Sequence, residues 1–442
     1  MGQELMDAPN VVVVLTDQQR WDTVGANGCP LDLTPNLDAL GREGVRFAQA
    51  FTCQPVCAPA RACLQTGKYA TENGVWHNGI PLPQSERTLA HRFKEHGYEV
   101  GYVGKWHLAG TRDQPVPADR RGGYVDYWVG ADLLEFTSHP YDTRLFGQDN
   151  EEVRIDGYRV DATTELALRF IRQRHANPFY LFLSYLEPHH QNDLNRFVAP
   201  EGEAARFTSH WVPGDLVGRP GDWPSQLADY FGIIARIDHC LGKILRELRT
   251  AGLAENTLVL FTSDHGCHFR TRNEEYKRSC HEASIHVPLV MRGPGLPRGR
   301  VIDDLVSLID IPPTLLDVAG LPVPGEMRGR SAVPLVRGEA RDWPDEVFLQ
   351  ISEAEVGRAI RTRRWKYAVY APDKDPWRDP ASPVYEERYL YDLAADPHER
   401  TNLIGRSDHA KIARGLRERL LARMVEAGEA PAEIRVARYP AG

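Results

Sequence analysis

Apolar positions along the chain fall into two kinds of run. Continuous ones, NVVVVL at residues 10–15 and NTLVLF at 256–261, have no polar face, and each stops at a polar turn bearing an acid, Asp17 or Asp264. A strand apolar on both faces suits a parallel sheet covered on both sides, and loops at the carboxyl ends of such strands are where open α/β sheets hold ligands. Other runs have helical spacing: TPNLDALGREG (34–44), TLAHRFKEHG (88–97) and YFGIIARIDHCLGKILRELRTAG (230–252). Each closes on a glycine, as a helix carboxyl cap favours. Strand-like YEVGYVG (98–104) follows the second, and PFYLFLSYLEP (178–188) precedes the third. The alternation predicts an α/β fold with a large, mostly parallel central sheet flanked by helices.

Two stretches, residues 111–160 and 190–224, are irregular and rich in Trp, Tyr, Pro, Gly and charge; loops of that length predict either a substrate rim or surface decoration. After SLIDIPPTLLDVAGLPVP (307–324) the texture changes to short strand-like pieces, IRTRRWKYAVY (360–370) and RYLYDL (388–393), then a basic amphipathic helix near 410–427. The predicted division is a catalytic α/β domain over 1–340 and a smaller α+β domain over 341–442, which the length of 442 residues accommodates.

The formal charge of -8 argues against a general nucleic-acid binder. Seven cysteines without a C-x-x-C pair predict free thiols in a reducing compartment. No leader or membrane span is visible, so the expected address is cytoplasmic, with no membrane role.

Among these cysteines Cys57 has a distinctive setting. In CAPARACLQTG (57–67), Pro59 suits the first turn of a helix, which sets Cys57 at its amino end with Arg61 on the same face. Backbone N–H groups there favour an oxyanion. The pattern C57-A-P-A-R61 followed by L64-Q-T-G67 resembles the signature of the type I sulfatases, in the alkaline phosphatase superfamily. Further segments follow in that family's order: GYEVGYVGKWH (97–107), which departs from the second signature at Val100; LSYLEPH (183–189); SDHG (263–266); KRSCHEASIHVP (277–288); and YDLAADPHERTNL (391–403).

The resemblance implies an alkaline phosphatase-like architecture and a sulfuric ester hydrolase. It implies that Cys57 is converted to formylglycine by a maturation enzyme, and that the hydrated aldehyde is the nucleophile. Asp17, Gln18, Asp264 and His265, with position 57, would hold one divalent cation. Gln18 and His265 depart from the family's usual Asp and Asn, so calcium is expected with manganese or magnesium as alternatives. Lys105 and Lys277 would take the sulfate oxygens, Arg61 would steady the nucleophile, His107 would accept a proton and His189 would protonate the leaving group. Asn78 and His281, the latter where the family more often has tyrosine, are candidate substrate contacts. Trp76, Trp211 and Trp223 are candidates for stacking on a sugar ring. The expected substrate is a sulfated small molecule or oligosaccharide. Two alternatives are a phosphonate monoester or phosphodiester hydrolase of the same superfamily, and a non-catalytic binding protein on a sulfatase scaffold. The oligomeric state is left open.

Overall fold

The structure, a computed structural model, describes residues 8–208 and 211–437; the amino-terminal residues on which the leader expectation rests lie outside them. A ten-stranded sheet forms the centre, in the spatial order 300–302, 45–47, 289–292, 257–263, 10–17, 179–188, 99–105, 127–131, 142–146 and 152–156. The strands from Thr257–Ser263 through Tyr127–Ala131 run parallel; antiparallel pairs follow on both sides, and the outermost pair, 45–47 with 300–302, is again parallel. The fold class is thus the α/β one expected from the apolar runs.

The Asn10–Asp17 strand explains why its run has no polar face. Val12 and Val14 join a core beneath the helices Arg159–Ile171 and Trp223–Thr250, whereas Val11, Val13 and Leu15 face a second core containing Leu89, Phe93, Ile311 and Leu315. Alternate side chains of one strand feed both layers.

The irregular stretch 111–160 differs from its expectation, because it contains the strands Tyr127–Ala131, Asp142–Phe146 and Glu152–Asp156. Among its described residues, the stretch 190–224 holds a single short turn of helix, Ala204–Phe207, before the 28-residue helix Trp223–Thr250 begins with a proline in its first turn. Beyond residue 340 a five-stranded sheet runs in the order 346–351, 357–362, 365–370, 384–392 and 433–435. IRTRRWKYAVY is not one strand but a hairpin that turns at Arg363 and Arg364. One face of this sheet packs on the helix Ala410–Glu426; the other meets Phe51, Cys280 and Ile285 of the larger part. Among the described residues no helix is long and apolar enough to cross a membrane, and all seven cysteines are free and buried.

Candidate active site

Sheet register gathers the candidates at one edge. Thr16 lies opposite Ser263, so Asp17–Gln18 and Asp264–His265 leave neighbouring parallel strands side by side. On the other flank Asp17 is in register with Pro188, one residue before His189, and the next strand ends at Lys105. The helix Cys57–Thr66 points its first residue into the same space. Gly104 has φ +105, and a Cβ there would come within 1.9 Å of Ser184 O. Glycine therefore lets the Lys105 strand approach its neighbour.

Asp17, Cys57, Asp264 and His265 are buried and present ligand atoms within 4.8 Å of one another. His265 Nδ1 lies 3.0 Å from Gly266 O, which only accepts, so the proton sits on Nδ1. Nε2 then turns its lone pair toward Asp17 Oδ1 and Asp264 Oδ1, each 3.5 Å away. A lone pair facing two carboxylates is repulsive unless a cation joins them, and fixing an imidazole through its far nitrogen is how metal-binding histidines are oriented. Asp264 Oδ2 is buried without a hydrogen-bond partner, although Arg61 Nη2 is 3.1 Å away. Gln18 donates Nε2 to Cys267 Sγ at 3.5 Å, while its Oε1 is 3.5 Å from Lys277 Nζ. Two carboxylates, an amide oxygen and a neutral imidazole fit a divalent cation.

Cations surround this cluster. Lys105 Nζ lies 2.9 Å from Asp17 Oδ2 and 3.2 Å from Glu135 Oε1. Arg61 reaches Asp17 Oδ2 at 3.0 Å and donates Nη1 to Ser184 Oγ at 2.6 Å and to Lys105 O at 3.0 Å. Lys277 Nζ is 2.9 Å from Cys57 Sγ and 4.0 Å from Asp17 Oδ1. Burial opposes ionisation of Asp17, yet Lys105, His189, Lys277 and Arg61 hold it well below the ordinary carboxylate range. Burial and the neighbouring Asp17 instead push Asp264 up to about 7. Burial, with Asp17, pushes the Cys57 thiol up to about 12. That side chain is a neutral thiol at neutral pH, so it is a poor nucleophile as it stands.

The histidines divide. His189 is buried, with Nδ1 2.7 Å from His190 O, and burial followed by Lys277 pushes it well below the ordinary imidazole range. His107 has φ +62, a buried Nδ1 without a hydrogen-bond partner, and is likewise pushed down by burial and then Lys105. His281 lies apart: its Nε2 is 3.2 Å from Tyr391 Oη, and after burial the groups that push it down are Arg272, Lys366, His268 and Arg219. Asn78 is beside Cys57 but faces the helix, its Oδ1 accepting the Ala58 N–H at 3.0 Å. That contact occupies one of the helix-end donors expected to meet an oxyanion.

Sequence reasoning missed Glu135, Ser184, Asp132 and Glu353. Glu135 and Ser184 brace Lys105 and Arg61. Asp132 accepts the N–H groups of Ala109, Thr111 and Arg112, fixing the loop after His107. Glu353, from the second sheet's first loop, accepts the Asn78 N–H at 2.6 Å. Glu135, Asp132 and Glu353 lie in no motif, and Ser184, though inside LSYLEPH (183–189), shows its role only through tertiary pairing. Of the tryptophans singled out, Trp211 stacks on Phe231 and Trp223 donates Nε1 to Arg219 O, whereas Trp76 packs edge-on against His77. A separate cavity of about 590 Å³ opens between Trp21, Trp211, Arg272, Arg361 and His398 and includes none of the clustered residues.

A family model described as Sulfatase matches residues 9–321, and one described as N-sulphoglucosamine sulphohydrolase, C-terminal, matches residues 275–426. The chain is 30% identical, over 95% of its length and 82% of the relative's, to an ulvan-active sulfatase of Formosa agariphila. A solved structure in complex with its substrate D-glucosamine-2-N,6-O-disulfate shares the fold with a TM-score of 0.79 at 23% identity, covering 95% of this chain and 98% of that one. The phosphonate monoester hydrolase of Agrobacterium radiobacter gives a TM-score of 0.74 at 25% identity, covering 95% and 96%.

Proposed function

The chain belongs to the sulfatase family, whose members hydrolyse sulfuric esters, and we propose from that premise that its substrate is a sulfated saccharide, cleaved by a nucleophile made from Cys57 beside one divalent cation. The observation carrying this reading is the buried set Asp17, Cys57, Asp264 and His265, ringed by Arg61, Lys105 and Lys277. Formylglycine at position 57, formed by a maturation enzyme, would supply a hydrated aldehyde as nucleophile, and Asp17, Gln18, Asp264 and His265 would hold a divalent cation, calcium foremost, whose charge would favour the ionised form of that nucleophile.

The chain's own groups do the rest. Lys277, the less encumbered of the two lysines, binds peripheral sulfate oxygens, and Lys105 adds charge from behind Asp17. His189 is held neutral in part by Lys277. An anionic ester between the two offsets that repulsion, so His189 takes up a proton and gives it to the leaving oxygen from Nε2, because Nδ1 faces His190 O. His107 accepts the proton in the step that frees inorganic sulfate. Asn78 acts by holding the helix end, and His281 by holding the Tyr391 hydroxyl. We place the division between the two parts near residue 340, just before the second sheet opens at Glu346.

The saccharide assignment is supported by the ulvan-active relative. Gln18 and His265, together with the likeness to a phosphonate monoester hydrolase, favour phosphonate or phosphodiester hydrolysis as the second reading. Mass spectrometry of the peptide bearing residue 57, paired with rates on a sulfated sugar, nitrophenyl sulfate, a phosphodiester and a phosphonate, separates them. The expected result is an aldehyde at position 57 and preference for the sugar sulfate. An unmodified thiol with full activity overturns the nucleophile; faster turnover of a phosphorus ester overturns the substrate class.

A further inference from the structure

Trp377 belongs to the loop between the strands Trp365–Tyr370 and Val384–Asp392 of the second sheet, yet its neighbours come from the walls of the candidate active site. Arg278 lies over the indole, with its guanidinium carbon 5.6 Å from the ring centroid. His77 meets the ring edge-on at 5.6 Å and 61°. These two residues are the chain neighbours of Lys277, whose Nζ is 2.9 Å from Cys57 Sγ, and of Asn78, whose Oδ1 holds the Ala58 N–H at 3.0 Å. Arg278 also donates its backbone N–H to Pro55 O at 3.2 Å, two residues before Cys57. Trp377 is thereby held against the two segments that carry Lys277 and Asn78.

The support beneath it is built of buried charge. Glu353, with none of its side chain exposed, binds Arg278 Nη2 at 2.7 Å and the Asn78 N–H at 2.6 Å, and its own N–H donates to Pro376 O at 3.2 Å. The loop of Trp377 is thus tied to the same carboxylate residue that orients Asn78. The indole itself is not buried: 47% of Trp377 is exposed, among the few large apolar side chains that are. An exposed tryptophan braced through one face and one edge, with the remainder open, makes a flat apolar platform at small conformational cost.

Charge decides what the platform takes. Arg278 is paired both with Glu353 and with Glu275, the latter at 3.0 Å, so it presents no spare positive charge to a second sulfate or a carboxylate. What remains is an aromatic face beside a neutralised guanidinium, suited to the C–H face of an uncharged pyranose ring. Resting on the saccharide reading above, we propose that Trp377 is a specificity-determining residue that stacks on the sugar ring carrying, or next to, the scissile sulfate, and that the second sheet thereby contributes to substrate choice.

The test is binding of a sulfated monosaccharide by calorimetry in a Cys57→Ala background, which does not depend on conversion of residue 57. Trp377→Ala is expected to weaken that binding about tenfold, and Trp377→Phe to weaken it less. Inhibition of the active enzyme by inorganic sulfate, which samples only the anion pocket, should move less than about twofold in Trp377→Ala, while KM for the sugar ester rises with the calorimetric constant. Unchanged sugar binding in Trp377→Ala overturns the proposal. So does an equal loss for sugar ester and inorganic sulfate, the signature of a disturbed fold. If the wild-type enzyme hydrolyses a nitrophenyl sulfate but neither binds nor turns over sulfated sugars, the saccharide reading fails first and this inference with it.

Discussion

Lys105 and Lys277 both carry charge to Cys57, but they are held differently, and the difference predicts separable defects. Lys105 is fully buried between Asp17 and Glu135, and burial, which would discharge it, is outweighed by those two carboxylates. Lys105→Met leaves the buried Glu135 without its cation and strips Asp17 of one, although Arg61 and the more distant Lys277 stay beside it, which costs about 3–5 kcal/mol of stability in addition to activity. Lys277 touches Cys57 and stays 4.0 Å from the nearest carboxylate. Lys277→Met should lower kcat/KM by roughly 10²–10³-fold with little change in the urea midpoint. Equal melts for the two variants would contradict this division. The acids, too, predict a measurable effect. With His265 Nε2 facing Asp17 and Asp264, chelator treatment should lower the melting temperature of both wild type and Cys57→Ala. Calcium should restore it, by about 2.7 kcal/mol at a hundredfold excess over Kd. A chelator without effect on either protein contradicts the cation site. These acids were legible in the sequence because each ends an apolar run at a polar turn. The roles of Glu135 and Ser184 were not, because their partners are 30 and 123 positions away; nothing local marks Glu135, and the LSYLEPH segment around Ser184 does not reveal what its hydroxyl meets.

At the scale of elements, the parallel strands were readable and the edges of the sheet were not. Asn10–Asp17 and Phe179–Pro188 are buried along their whole lengths, so their composition announces them. Glu152–Asp156 alternates exposed and half-buried residues at the sheet's edge, and Tyr127–Ala131 begins at a half-buried tyrosine; each is too short to outweigh its polar surroundings. The hairpin turn at Arg363 and Arg364 was hidden for another reason, since neither residue is a usual turn former and no glycine, proline or asparagine marks the stretch. Gly104 is the element-scale position where one atom matters most. It combines φ +105 with a Cβ position 1.9 Å from Ser184 O, and the next residue is Lys105. Gly104→Ala should push this strand from its neighbour, lowering stability by on the order of 3 kcal/mol and misplacing the lysine. Urea melts and sulfate release should fall together, and a variant within about 1 kcal/mol of wild type would refute the close approach.

Across the whole molecule, the second sheet is joined to the larger part by a buried ionic knot. Lys366 of that sheet has no exposed side-chain surface and lies 2.8 Å from Glu282 and 2.6 Å from Glu399, while Arg361 reaches Glu282 at 3.3 Å. Glu282 begins the short helix that follows His281, so the knot ties the hairpin to the segment that carries Lys277. Burial works against Glu282, but Arg361 and Lys366 hold it well below the ordinary glutamate value of 4.5. A carboxylate depressed in this way stabilises the fold above its unfolded pKa, and the contribution is lost as pH falls through the folded value. Glu399 has the opposite sign: burial raises it despite Lys366, so its ionisation costs stability above the ordinary value and that cost vanishes in acid. Lys366→Met weakens the depression of the first and strengthens the elevation of the second. The variant should therefore be about 3–5 kcal/mol less stable at neutral pH, and its deficit should shrink as pH falls, first above 4.5 as Glu399 protonates and then below it as the Glu282 contribution is lost. Urea melts of both proteins across that range check the sign. A deficit that stays constant or grows in acid would mean that packing by the lysine stem, not its charge, joins the two sheets.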